Sequence, residues 1–143
     1  MNKTYIVGFD GTQSSRRAID FAADCVRAQG GTLHLVHVLE WSPYSFLTAE
    51  ELAERHQRRQ EEVARAEQFI APVCDELRAA GLTVTSEVRY GHSAEIMCEI
   101  ARGFDAAQIV VGRKGASNLA ARLIGSLGMS LVQASPVPVT VVP

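Results

Sequence analysis

From Val111 to Pro143 the chain carries no aspartate and no glutamate. That stretch therefore supplies neither a carboxylate base nor a carboxylate metal ligand. Cysteine is also scarce: Cys25, Cys74 and Cys98 form an odd set without a CxxC pair. This argues against a disulfide framework or a cysteine metal knuckle and for reduced thiols packed as small apolar groups, in a cytoplasmic setting. No apolar run approaches the roughly 20 residues of a membrane-spanning helix, so no membrane insertion is expected. The start, Met1-Asn2-Lys3-Thr4, leads straight into a strand-like run without the layout of a secretory signal. A formal net charge of −2 gives no general electrostatic case for nucleic acid or anionic membranes.

What is present alternates regularly. Thr4 to Asp10 reads as a strand, and Ser14 or Ser15 is positioned to cap a helix running to about Gln29. Gly30-Gly31 ends that helix before a second strand, Thr32 to Leu39. Thr48, with Glu51 three residues on, forms a capping box for a long helix that Pro72 should kink or interrupt. The first half of this helix spaces Glu51/Arg55, Glu54/Arg58 and Glu61/Arg65 for i,i+4 pairing, the pattern of a solvated face. Its second half carries a core stripe of Val63, Ala66, Ile70, Val73 and Leu77. Beyond Gly81 come a strand from Thr83 to Arg89, a helix capped by Ser93 and ending near Phe104, and a short apolar strand, Gln108 to Val111. A helix from about Ser126 to Ala134 and a last strand, Pro136 to Val142, complete the chain.

The order β-α-β-α-β-α-β-α-β with helical crossovers implies α/β architecture, a parallel sheet covered by helices on both faces. Right-handed crossovers make a doubly wound, Rossmann-like five-stranded sheet of order 3-2-1-4-5 the simplest solution. Nothing marks a domain boundary, internal repeat or low-complexity tract, so residues 1–143 are expected to form one domain.

Ligands of such sheets bind beyond the carboxyl ends of the strands, where the strand order reverses. There the sequence offers Asp10-Gly11-Thr12 after the first strand, Val38 to Glu40 after the second, and a glycine loop after the fourth. The loop reads Val111-Gly112-Arg113-Lys114-Gly115 and closes on Gly125-Ser126-Leu127. Gly112 permits a sharp turn, and Gly115 permits positive φ and close approach of a ligand to the backbone. Gly125-Ser126 opens a helix whose unpaired N–H groups and dipole favour an anion. With a hydroxyl from Ser126 and charge from Arg113 and Lys114, these features fit a phosphate; an ordinary glycine turn with a helix cap is the competing account. The chain lacks GxxxxGK[ST], which removes a P-loop NTPase, and lacks GxGxxG after the first strand, which argues against a dinucleotide dehydrogenase. A phosphoacceptor receiver would need an acidic pair, a further Asp and a Lys at strand ends where this chain has Asp10, Arg89-Tyr90 and Pro143.

Across its whole length the sequence resembles the nucleotide-binding branch of the universal stress protein family. The G-x2-G-x9-G-[ST] signature of that branch reads Gly112-x2-Gly115-x9-Gly125-Ser126, and Val7 to Ser15 resembles the family's strand-D-G-[ST]-x-x-S opening. Gly91 and the closing Ser135-Pro136-Val137-Pro138-Val139 are also similar to the family pattern. The resemblance implies a homodimeric, cytoplasmic, ATP-binding protein of stress survival and regulation, with AMP or cyclic AMP as alternative ligands and Mg²⁺ accompanying a triphosphate. By position it places Asp10, with Gly11 and Thr12, and the backbone near Val38 at the adenosine. Val111 and Gly112 would line adenine and ribose, while Gly115, Gly125 and Ser126, flanked by Arg113 and Leu127, would cradle phosphates.

Three departures stand out: Ala107 where an Asp is frequent, Asn118 where a glycine is common, and Gly128 where many ATP-binding members have a hydroxyl. The missing acid near the phosphates argues against an efficient hydrolase and for binding with, at most, slow hydrolysis. An adenylyl-handling or phosphotransfer enzyme on the same scaffold, or a structural dimer without nucleotide, are the alternatives. Val137 to Val142 would leave an apolar sheet edge bare in a monomer, so pairing of two chains through the last strand is expected. The charged segment Glu50 to Glu67 is a second candidate contact surface, for a protein partner. His34, His37, His56 and His92 suggest no shared site, because an odd separation puts His34 and His37 on opposite faces of one strand.

Overall fold

The computed structural model describes residues 3–40, 48–114 and 126–143. Among these residues five strands alternate with four helices: β1 (Thr4–Gly8), α1 (Gln13–Gln29), β2 (Thr32–Glu40), α2 (Ala49–Ala79), β3 (Val84–Gly91), α3 (Ser93–Phe104), β4 (Gln108–Gly112), α4 (Ser126–Ala134) and β5 (Val139–Val142). The sheet order is β3-β2-β1-β4-β5 and every pairing is parallel, as expected from the crossovers. The chain builds outward from β1 to β3, then returns to the other side of β1, so the order reverses between β1 and β4.

Strand residues alternate between two buried layers. Tyr5, Val7, Leu33, Leu35 and Val110 face α1 and α2, where they meet Ile19, Ile70, Cys74 and Leu77. Ile6, Val36, Ile109 and Val111 face the other side and pack with Met97 and Ile100 of α3 and Leu131 of α4. All three cysteines are free, with Cys74 and Cys98 buried, and burial pushes the Cys98 thiol up from its ordinary value. No helix among the described residues is long and apolar enough to cross a membrane.

Local details differ from the sequence expectation in instructive ways. Thr12, rather than Ser14 or Ser15, caps α1, because Gly11 adopts a positive φ of 82° and completes the turn earlier. β1 accordingly ends at Gly8, short of Asp10. The expected capping box of α2 is present, with Thr48 accepting from Glu51 N and Glu51 reaching back. The helix nevertheless runs through Pro72 without interruption. Pro72 lies on the exposed side, where water can replace the bond lost at the carbonyl four residues back, while Ile70, Cys74 and Leu77 hold the opposite side down.

At α3 the cap position falls on His92, without a side-chain bond, and Ser93 is already helical. The Ser93 hydroxyl instead donates to Glu40 Oε1 at 2.5 Å, tying the start of α3 to the end of β2. β5 begins only at Val139, because the Ser135 hydroxyl bonds both N–H and C=O of Val137 in a local turn.

Candidate ligand site at the strand-order switch

β1 and β4 are paired neighbours through Val7↔Val110, so their carboxyl ends meet where the order reverses. Asp10, Gly11 and Thr12 form the β1 side. Asp10 Oδ1 accepts from Thr12 N (3.0 Å) and Thr12 Oγ1 (2.5 Å), an Asx-type turn that leads into the helix cap. Thr12 Oγ1 accepts from Ser15 N (3.1 Å), and the Ser15 hydroxyl returns to Thr12 O (2.9 Å). Asp10 is exposed, and with Oδ1 committed to the turn, Oδ2 is the oxygen it can present to a ligand.

The β4 side is held against β5 and α1. Arg113 N donates to Val142 O (2.8 Å), and Lys114 N donates to the hydroxyl of Ser14 (3.1 Å), a residue only 4% exposed. A Cβ on Gly112 would lie 2.4 Å from Ser14 Oγ and 2.6 Å from its carbonyl carbon and oxygen. Gly112 is therefore required by the close approach of β4 to the first turn of α1, a reason beyond the turn freedom expected for it. Val111 beside it is buried in the layer facing α3.

On the β2 side, Phe9 N donates to Val36 O (2.9 Å). Strand alternation then directs the N–H and C=O of Val38 to that same side, where β1 has already turned away. His37 Nδ1 lies 2.6 Å from Phe9 O, so this nitrogen carries the proton and locks the ring to the β1 turn. Ser126, the first described residue of α4, is exposed. Leu127 packs its side chain against the layer facing α3, so its backbone is what it has to offer a ligand. Gly115 and Gly125 lie outside the described residues. Among the sequence-named residues, Asp10, Gly11, Thr12, Val111, Gly112 and Arg113 are thus brought to one sheet edge, with Val38 one strand away.

Three contributors escape sequence reasoning. Ser14 reads locally as a cap, whereas its partners Gly112 and Lys114 are about a hundred residues away. His37 reads as an isolated histidine. Phe69 of α2 falls off the core stripe, yet its ring tip covers Gly11. Long contacts hold α2 there: Arg16 donates from both terminal nitrogens to Glu76 at 2.9 Å, which holds the Glu76 carboxyl below its ordinary range. Tyr90 at the end of β3 donates to Glu62 with Arg59 over its ring, and burial, aided by that carboxylate, pushes the phenol up. His34, on the opposite face, is satisfied by Thr85 and Glu87, each at 2.6 Å.

The class of protein is therefore a doubly wound α/β fold whose strand-order switch sets the Asp10-Gly11-Thr12 turn beside the Gly112 strand end. A model of the universal stress protein family matches residues 1–143, and the chain belongs to that family. A universal stress protein of Thermus aquaticus is 30% identical over 148 residues, covering 99% of each chain. One from Mycobacterium tuberculosis is 29% identical over 159 residues, covering 99% of this chain and 48% of its own; the chain spans about half the length of such mycobacterial relatives. Among solved structures, UspA from Lactobacillus plantarum superposes with a TM-score of 0.84 at 19% identity, covering 99% of this chain and 97% of that one. A universal stress protein solved in complex with cAMP gives 0.71 at 25% identity, covering 99% and 96%.

Proposed function

We propose that the chain binds an adenine nucleotide at the β1/β4 switch point and acts as a regulatory protein of stress response rather than as an enzyme. The observation that carries this reading is the juxtaposition of the Asp10-Gly11-Thr12 turn with the Gly112-Arg113-Lys114 strand end, which opens the signature Gly112-x2-Gly115-x9-Gly125-Ser126. In this reading Asp10 Oδ2 takes the ribose hydroxyls, and the N–H and C=O of Val38 offer the donor and acceptor that the edge of adenine requires. Val111 and Gly112 flank the base and ribose. Gly115, Gly125, Ser126 and the Leu127 N–H receive the phosphates at the start of α4, with Arg113 alongside. The family relative solved with cAMP supports the ligand class.

ATP is the foremost candidate, with AMP and cyclic AMP as the alternatives that Gly128 favours by offering no hydroxyl two residues past Ser126. Among the described residues no group of three or more His, Cys, Asp or Glu is placed to hold a metal, so Mg²⁺ would arrive on the triphosphate, held chiefly by phosphate oxygens and water. Calorimetric titration with Mg-ATP, AMP and cAMP tests the reading. Micromolar binding near one per chain is expected, with steady-state turnover below roughly one per second. Absence of binding to all three would overturn it in favour of a structural dimer, and faster turnover would favour the adenylyl-handling or phosphotransfer alternative.

Homodimerisation through the last strand belongs to the same proposal. β5 is an edge of the described sheet, paired to β4 alone in it, and Val139 to Val142 are all half-buried there. Met129 and Val132 of α4 are exposed apolar side chains as well. A dimer mass in sedimentation at micromolar concentration is expected, and Val141→Lys should shift it toward monomer. A monomer mass for the unsubstituted chain would remove this part of the proposal. A cytoplasmic location and a protein partner that reads the bound state, contacted through Glu50 to Glu67, complete the proposed role.

A further inference from the structure

We propose that Phe69 is the base-stacking residue of the crevice, a platform carried by α2 that holds the flat face of the nucleobase. This rests on the nucleotide reading above and adds an element that lies outside the glycine signature. Phe69 is 50% exposed, although it stands beside the strand-order switch and not on a remote helix face. One side of its ring stacks on Phe9, with centroids 5.5 Å apart and planes inclined by 26°. Phe9 is buried and precedes Asp10 directly, so the pair forms a two-ring stack rooted just past the end of β1.

Two independent features show that the position is built. Gly11 leaves the space: a Cβ there would lie 2.4 Å from Phe69 Cζ, so the ring tip sits directly on the turn beside Asp10. Glu62, Phe69 and Glu76 recur every seven residues and so share one face of α2. The outer two are the residues that bind Tyr90 of β3 and Arg16 of α1, which clamps the helix on either side of the ring. The His37 ring, 6.3 Å from Phe69 and pinned to Phe9 O, closes the β2 side of the same aromatic group. A half-exposed ring backed by a second ring, on a helix tied down on both sides, offers an aromatic face to a base.

The test compares the unsubstituted chain with Phe69→Leu and Phe69→Trp, using Mg-ATP as the probe. Leucine keeps apolar cover over Gly11 and Phe9 but has no π face, whereas tryptophan restores one. Calorimetry should show Phe69→Leu weakening ATP on the order of ten- to a hundred-fold, with Phe69→Trp near the unsubstituted affinity. In proton NMR the adenine H2 and H8 signals should move upfield on binding to the unsubstituted and Trp chains, and lose that shift with Leu. Equal affinity and equal shifts for Phe69→Leu would overturn the inference while leaving the nucleotide reading in place. A parallel loss in Leu and Trp, with unfolding midpoints lowered in both, would mark a packing role and overturn it too. Failure of the unsubstituted chain to bind ATP would overturn the nucleotide reading and this inference with it.

Discussion

Gly112→Ala is expected to cost the protein about 3 kcal/mol of stability, the upper end of the usual range for overpacking a tight site. The added methyl has nowhere to go, because two of the three nearest atoms, 2.6 Å away, are the carbonyl carbon and oxygen of Ser14. A flexible side chain could swing aside, but backbone in the first turn of α1 cannot move without disturbing the Thr12 cap and the Ser15 bonds that lock it. Relief must come from separating β4 from α1, and that pulls Lys114 N off the Ser14 hydroxyl. A domain of this size should lose roughly 10 °C in Tm. Gly103→Ala is the matched control: a Cβ there meets nothing within 4 Å, and α3 should gain up to about 1 kcal/mol from the loss of a helical glycine. Urea unfolding of both variants reads the contrast directly. Equal, small effects would mean that β4 and α1 yield easily, and the glycine would revert to a turn residue only.

Much of the architecture was legible because it depends on patterns that repeat along the chain. Continuous apolar strands bounded by amphipathic helices leave a parallel, doubly covered sheet as the simplest packing, and crossover handedness selects the 3-2-1-4-5 order. The Asp10-Gly11-Thr12 turn and the Gly112 strand end were legible for the same reason: each follows a recognisable strand. Errors arose where local chemistry had more than one equivalent solution. Thr12, Ser14 and Ser15 can all cap a helix, and only the positive φ of Gly11 decides for Thr12. Ser93 can cap α3 or bind Glu40, and the register that sets Glu40 beside Gly91 brings that carboxylate within reach. Pro72 shows a missing donor in the sequence, but not that Pro72 and Gln68 lie on the exposed side of α2. Contacts between distant segments were not legible at all. Nothing near Phe69 indicates that a glycine nearly sixty residues earlier makes room for its ring, and nothing near Gly112 points to Ser14.

Asp10→Asn should leave folding nearly unchanged and weaken nucleotide binding on the order of ten- to a hundred-fold, the worth of one or two hydrogen bonds to a charged acceptor. The separation is feasible because the two carboxylate oxygens have different work. Oδ1 accepts both bonds from Thr12, and an amide oxygen can do the same. The amide nitrogen replaces Oδ2 with a donor and removes the charge. Asp10→Ala should add a stability loss of about 1–2 kcal/mol, since the Thr12 N–H and hydroxyl lose their acceptor and the cap of α1 loosens. Thr12→Ala should show the stability loss with a much smaller effect on affinity. Calorimetry and urea unfolding on the three variants distinguish turn from ligand contact. The sign of the affinity change carries more: a carboxylate facing ribose hydroxyls attracts them, whereas one facing phosphates repels the ligand. Weaker ATP binding by Asp10→Asn therefore places Asp10 at the adenosine end, and tighter binding would reverse the orientation of the nucleotide in the crevice.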